Sequence, residues 1–155
     1  QLDDSTHMAK RITQIRLHFC ASPQYIKQNG LPKTPQDLVN GHRQVKYQSA
    51  PDSWLFTDSD GNTESIKVPS VLTANNGDFL CQAAIDGVGI SASPDFICYK
   101  AVRLGQLQTI LDDYSQELSF GGYVVYPNTR YLSPRVRRFI DCLSQFFGDE
   151  PYWKI

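Results

Sequence analysis

The chain has 155 residues, 41% hydrophobic and 20% charged, with 15 Lys and Arg against 16 Asp and Glu for a net charge of -1. That composition suits one compact domain or two small lobes and lies far from disorder. A near-neutral balance argues against a chain that grips nucleic acid by itself, and no apolar run approaches the roughly 18 to 20 residues that span a bilayer.

The first fifteen residues carry no strong start signal, and QLDDSTHMAKRI lacks the apolar core of a signal peptide. RLHFCA, Arg16 to Ala21, predicts a buried strand closed by Ser22-Pro23. A short helix, QYIKQNG, follows and ends at Gly30; a second, TPQDLVN, takes Thr34 as its cap and Pro35 as its first residue. HRQVKYQ alternates as a half-exposed strand does. Asp60-Gly61 between two β-prone segments marks a hairpin, because that turn needs positive φ. Val68 to Thr73 is the next strand.

From Asp78 the period becomes helical, through Phe79, Leu80, Ala83, Ala84 and Val88, with Gly87 as a left-handed stop. Gly89 to Ala92 reads as a buried parallel strand, and DFICYKAVRL as a helix started by Pro94-Asp95 and ended by Gly105. LQTIL and YVVYP are strands. The last helix has Ser133 as cap and Pro134 first, with Val136, Phe139, Ile140, Leu143 and Phe147 on one face. Alternating strands and helices predict an α/β fold with a largely parallel sheet.

Catalytic patterns are missing from this reading. His7, His18 and His42 join no HExxH, HxE or nucleophile-plus-base pattern. The glycines of GVG follow a helix where a dinucleotide fingerprint would open one, and Asp3-Asp4 and Asp112-Asp113 read as solvated loop charges. Cys20, Cys81, Cys98 and Cys142 form no CxxC pair, so they read as buried reduced thiols in a cytoplasmic protein. Neither metal nor cofactor is expected. Arg130, Arg135, Arg137 and Arg138 read as a solvated face.

Several stretches in order carry a family resemblance: LDDSTHMAKRI, then CASPQYIKQNGLPKTPQDLVNGH, the WLF strand, LTANNGDFLCQAAIDGVGISASPDF, GQL, and YVVYPNTRYLSPRVRRFIDCL. Together they resemble the effector-binding domain of a LysR-type transcriptional regulator across nearly the whole chain. Two departures stand out: SASPDF replaces a more apolar LLPDF, and Gly121-Gly122 is expected to interrupt a usually continuous strand.

The resemblance implies two periplasmic-binding-protein-like (type II) Rossmann-like lobes joined by crossover strands. Lobe two would be complete at residues 23–122, and lobe one partial at 1–22 and 123–155. It implies a ligand-sensing, non-enzymatic part of a cytoplasmic regulator that forms dimers or tetramers. DNA would be reached only through a winged helix-turn-helix outside this chain, and no membrane is involved. The rival reading is one lobe of an exported, periplasmic-type solute-binding protein, which shares the architecture.

TANNGDF is where a ligand site is expected. A strand ends there and a helix begins, so unpaired backbone N–H groups and a partial positive charge face whatever lies ahead. From the residues alone, Asn75 or Asn76 serves equally well as a plain helix cap or as a ligand contact, and Gly77 lets a ligand approach the backbone. The resemblance places effector contacts at Asn75 and at Ser22, with Thr73 and Asn76 secondary and Pro94 as a wall. A small anionic or polar effector is then expected to bridge Ser22 and the Asn75–Gly77 helix opening.

Overall fold

The first described element is a strand of 15 residues, β1 (His7–Ala21), in a computed structural model that describes residues 7–114, 119–128, 133–148 and 150–155. Two compact units share it: residues 16–118, and residues 1–15 with 119–154. The family resemblance put the divisions at 22/23 and 122/123. Backbone pairing puts the first one earlier, because Leu17 to Ala21 are already bonded into the larger unit's sheet.

In the larger unit, α1 (Pro23–Asn29), a 3-10 turn (Pro35–Val39), β2 (Gln44–Tyr47), β3 (Ser53–Thr57), β4 (Thr63–Lys67) and β5 (Ser70–Ala74) come first. Then follow α2 (Gly77–Ile85), β6 (Ile90–Pro94), α3 (Asp95–Arg103) and β7 (Gln108–Ile110). The sheet order is β5-β2-β6-β1-β7. β2 runs parallel to β5 and β6, whereas β1 runs antiparallel to β6 and β7. The expected largely parallel sheet is therefore mixed, with one reversed strand. Seven-residue α1 and the five-residue 3-10 turn return the chain to β2 at the edge where β1 ended.

Side chains alternate across this sheet and fill a core on each face. Phe19 and Ala21 of β1 point to one side, where they meet Tyr25, Trp54, Phe56 and Ile66 under α1 and the β3–β4 hairpin. Phe19 lies 4.6 Å from the Trp54 ring and 4.9 Å from Phe56. Cys20 points to the other side, against Leu80, Ala84, Cys98 and Ala101 of α2 and α3. The hairpin turns at Gly61, with φ at 81°, and the Asp58 carboxylate accepts from the Asp60 and Asn62 N–H groups.

β2 differs from its expected half-exposed state. Gln44 and Val45 are buried because β2 lies between β5 and β6. The Gln44 amide donates to the Val68 carbonyl at 2.7 Å and the Asp52 carbonyl at 3.1 Å, so a polar residue pins the hairpin to the sheet.

The smaller unit contains β8 (Ser119–Pro127), which pairs with β1, and α4 (Pro134–Phe147). β8 runs through Gly121-Gly122 without the expected interruption. A Cβ at Gly122 would stand 2.9 Å from the Thr13 side chain, so glycine admits the close approach of β1. Ser133 caps α4 by accepting from the Val136 N–H at 3.3 Å. Ile140 is buried, Phe147 packs 5.3 Å from Trp153, and Lys10 meets Asp141 at 3.2 Å. The predicted inward face of α4 is split, since Val136 and Phe139 are exposed.

Arg135, Arg137 and Arg138 are exposed, as their solvated-face reading requires, while Arg130 and the TRYL part of its motif lie outside the described residues. Cys20, Cys81 and Cys98 are buried free thiols, but Cys142 is exposed on α4 and corrects the expectation that all four are buried. No helix among the described residues is long and apolar enough to cross a membrane.

Candidate functional site

Parallel pairing brings the carboxyl ends of β2, β5 and β6 to one edge of the larger unit, at Tyr47, Ala74 and Pro94. α2 and α3 both begin at this edge, so both direct their free N–H groups and partial positive charge past it.

Asn76 is the cap of α2, with extended φ and ψ of -126° and 121°, and its Oδ1 accepts the Phe79 N–H at 2.9 Å. Asn75, one residue earlier, is exposed in a bend. Of the two asparagines, both exposed, Asn76 is spent on the helix and Asn75 is not. Thr73 is exposed at the end of β5, 3.3 Å from the Ser70 hydroxyl.

Gly77 has a different reason from the one expected. A Cβ there would come 2.5 Å from Ile97 Cδ1 and 3.6 Å from the Tyr47 ring. Its missing side chain lets α3 lean over the start of α2, so close packing explains the glycine without any ligand. Pro94 ends β6 and precedes α3 with φ fixed at -58°.

Ser22 does not join them. β1 is antiparallel to β6 and pairs Leu17 with Pro94, so its Arg16–Leu17 part is what reaches this edge. Ser22 lies five residues further on, roughly 17 Å away at the rise of an extended strand. It is buried, its Oγ accepts the Tyr25 N–H at 3.2 Å to cap α1, and the end of α2 that it approaches is the finish at Gly87, where a Cβ would be 3.5 Å from that Oγ. Strand direction thus sets Ser22 and the α2 opening toward opposite ends of the sheet.

The same edge carries residues that sequence reading missed. Asp95, 3% exposed, accepts the Arg16 N–H at 3.1 Å and the Phe96 N–H at 2.8 Å, tying β1 to the start of α3. Burial pushes its carboxyl above the usual range, against the pull of those donors. Arg16 is exposed beside it, and no ion pair to Arg16 is present among the described residues. Tyr47, Phe79 and Phe96 leave large apolar surfaces open around the helix starts. Two signals were available: an Asp directly after a strand-ending proline, and aromatic residues at the third and second positions of two predicted helices.

His18 lies further along β1 than Arg16. Burial lowers its pKa, opposed by Asp112 and Asp95. Tyr25 links α1 to β2 through its hydroxyl, which accepts the Arg43 N–H at 3.0 Å and meets His42 Nδ1 at 3.2 Å. No three His, Cys, Asp or Glu side chains gather as metal ligands among the described residues.

A family model, the LysR substrate binding domain, matches residues 1–148. The chain belongs to the LysR family. Its relatives include an HTH-type transcriptional regulator of Haemophilus influenzae, 36% identical over 136 residues that make up 87% of this chain and 46% of that protein. Among solved structures, the regulatory domain of CrgA from Neisseria meningitidis matches with a TM-score of 0.79 at 28% identity, covering 96% of this chain and 72% of that one. The regulatory domain of AphB from Vibrio vulnificus matches with a TM-score of 0.77 at 26% identity, covering 92% and 70%. This LysR substrate-binding domain thus has the periplasmic-binding-protein-like type II fold, and it spans about half the length of the curated relatives it matches. Its relatives are transcriptional regulators, which favours a regulator over an exported solute-binding lobe.

Proposed function

We propose that this LysR domain is the sensor of a cytoplasmic, oligomeric DNA-binding regulator, and that a small anionic effector binds at the edge formed by Thr73, Asn75 and the first turn of α2. The observation that carries the assignment is the division of labour between the two asparagines. Asn76 holds the helix start in place, which leaves the exposed Asn75 amide beside unpaired N–H groups. Arg16 adds a positive charge at the same edge, and Tyr47, Phe79 and Phe96 supply apolar surface for the rest of the molecule. Pro94 and α3 form the neighbouring wall, while Ser22 has no part in the site.

DNA is reached through a helix-turn-helix region of the whole regulator, as the naming of the relatives supports. An effector changes transcription by binding one arrangement of the regulator more tightly than another. The test is calorimetric titration of the regulator with a library of small carboxylates, followed by Asn75→Leu and Arg16→Gln on any binder. The expected result is affinity weakened by roughly tenfold or more in each variant, equivalent to the loss of one charge-assisted hydrogen bond. Wild-type affinity in both would remove the site from this edge.

A further inference from the structure

In the smaller unit, α4 meets β1 and the end of β8 around a groove of about 300 Å³. Alternation puts Met8 and Lys10 on one side of β1, and helical spacing puts Arg137, Ile140 and Asp141 on one face of α4. The buried Ile140 closes the base of the groove, Met8 and the half-buried Tyr126 give it apolar walls, and the three charged residues stand at its rim. This volume is at the small end of ligand pockets, which run from about 300 to 1,000 Å³ and combine an apolar lining with a few polar groups. The groove shares no residue with the edge at Asn75.

Charge decides what it can hold. Arg137, one turn before Asp141 on α4, is the ion-pair partner that helical spacing favours. Asp141 instead meets Lys10 of β1 at 3.2 Å, and the Arg137 guanidinium has no ion pair among the described residues. One positive charge at the rim is therefore uncommitted. We propose that this groove is a second small-molecule site, and that it takes a monocarboxylate with a compact apolar body. The two carboxylate oxygens meet the planar fork of Arg137, whose donors match them, and the apolar body lies over Ile140 between Met8 and Tyr126. A dianion such as phosphate needs a second free cation, but Asp141 already holds Lys10. A neutral molecule of the same shape leaves the guanidinium unused.

Two-dimensional NMR of the 155-residue chain titrated with phenylacetate tests this, with 2-phenylethanol as the neutral counterpart and inorganic phosphate as the dianion. The expected result is saturable shifts at the Arg137 Nε–H, the Tyr126 ring and the Ile140 methyl groups, which neither comparator reproduces. Arg137→Gln, at an exposed position, weakens the binding by roughly tenfold or more and keeps the fold by far-UV circular dichroism. Asp141→Asn breaks an exposed ion pair of small weight, so it also keeps the fold; it frees Lys10, tightens phenylacetate severalfold and admits phosphate. Groove signals that stay unmoved up to the solubility limit of phenylacetate overturn the proposal, as does binding indifferent to Arg137→Gln. Equal binding of 2-phenylethanol or of phosphate by the unaltered chain overturns the ligand class. If Arg16→Gln abolishes binding and Arg137→Gln does not, the carboxylate sits at the Asn75 edge, so the groove is refuted while the edge site stands.

Discussion

Replacing Asn76 by Ala removes one acceptor, the Oδ1 that takes the Phe79 N–H at 2.9 Å. Losing a cap of this kind costs about 1 kcal/mol, within a range of about 0.5 to 2. For a chain of this length each kcal/mol moves the thermal midpoint by roughly 2 to 4 °C, so Asn76→Ala should melt about 2 to 4 °C lower. Asn76→Gly should lose only a few tenths of a kcal/mol, since glycine is tolerated at this position. Asn76→Asp keeps the acceptor and adds a charge that the helix start favours by about 0.3 to 1 kcal/mol, so it should melt no lower than wild type. Asn75→Ala removes a side chain that the structure leaves outward, and its change should stay within about 0.5 kcal/mol. Differential scanning calorimetry of the four variants reads all of this in one series. If Asn75→Ala melted as low as Asn76→Ala, the separation of cap from ligand contact would be wrong. The series also bears on function, because Asp at position 76 should repel an anionic effector while preserving the fold.

Gly89 offers a contrast with Gly77. A Cβ at Gly89 would lie 2.9 Å from the Arg43 carbonyl oxygen, which the sheet holds in place. Gly89→Ala should therefore cost about 1 to 3 kcal/mol by urea denaturation, and Gly77→Ala less, because it meets the end of the Ile97 side chain; equal costs would contradict this. Burial holds His18 and His42 below their ordinary value of 6.5, with Asp112 and Asp37 pulling the other way. The unfolded chain then takes up protons first, so the stability these rings contribute is full above about pH 6.5 and is lost as pH falls through the folded values. The thermal midpoint should decline between about pH 6.5 and 5, more gently in His42→Gln, and a flat profile would contradict it. Finally, a native thiol titration should find one fast cysteine, Cys142; Cys20, Cys81 and Cys98 are buried, and burial pushes Cys81 up to about 11. Rapid reaction at more than one thiol would count against the described core.

Local chemistry was legible in the sequence because its causes are local. Ser133, Pro134, Gly87, Gly105 and the Asp-Gly hairpin stand where sequence reading put them, since caps and left-handed stops depend on a few adjacent residues. Strand direction was not legible. Alternation reports which side chains are buried and is identical for parallel and antiparallel neighbours, so LHFCA gave no sign that β1 is reversed. That single fact sets Ser22 away from the α2 opening. The close approaches at Gly77 and Gly122 were hidden for a related reason: they are made by Ile97 and Thr13, distant in sequence. Asp95 was passed over because a carboxylate at a helix start is ordinary, and only its burial and its bond to Arg16 distinguish it.

The position of β1 in the sheet has a consequence for synthesis. It is the first strand of the larger unit to be made, yet its partners are Ser91 to Pro94 and Gln108 to Ile110. Translation adds about 5 to 20 residues per second, so the LHFCA segment waits several seconds for its neighbours. During that time an apolar strand has two open edges. The larger unit cannot close its sheet by growing outward from a finished hairpin, and it completes folding only once β7 has left the ribosome. Until then the unpaired strand is a place where the nascent chain can aggregate.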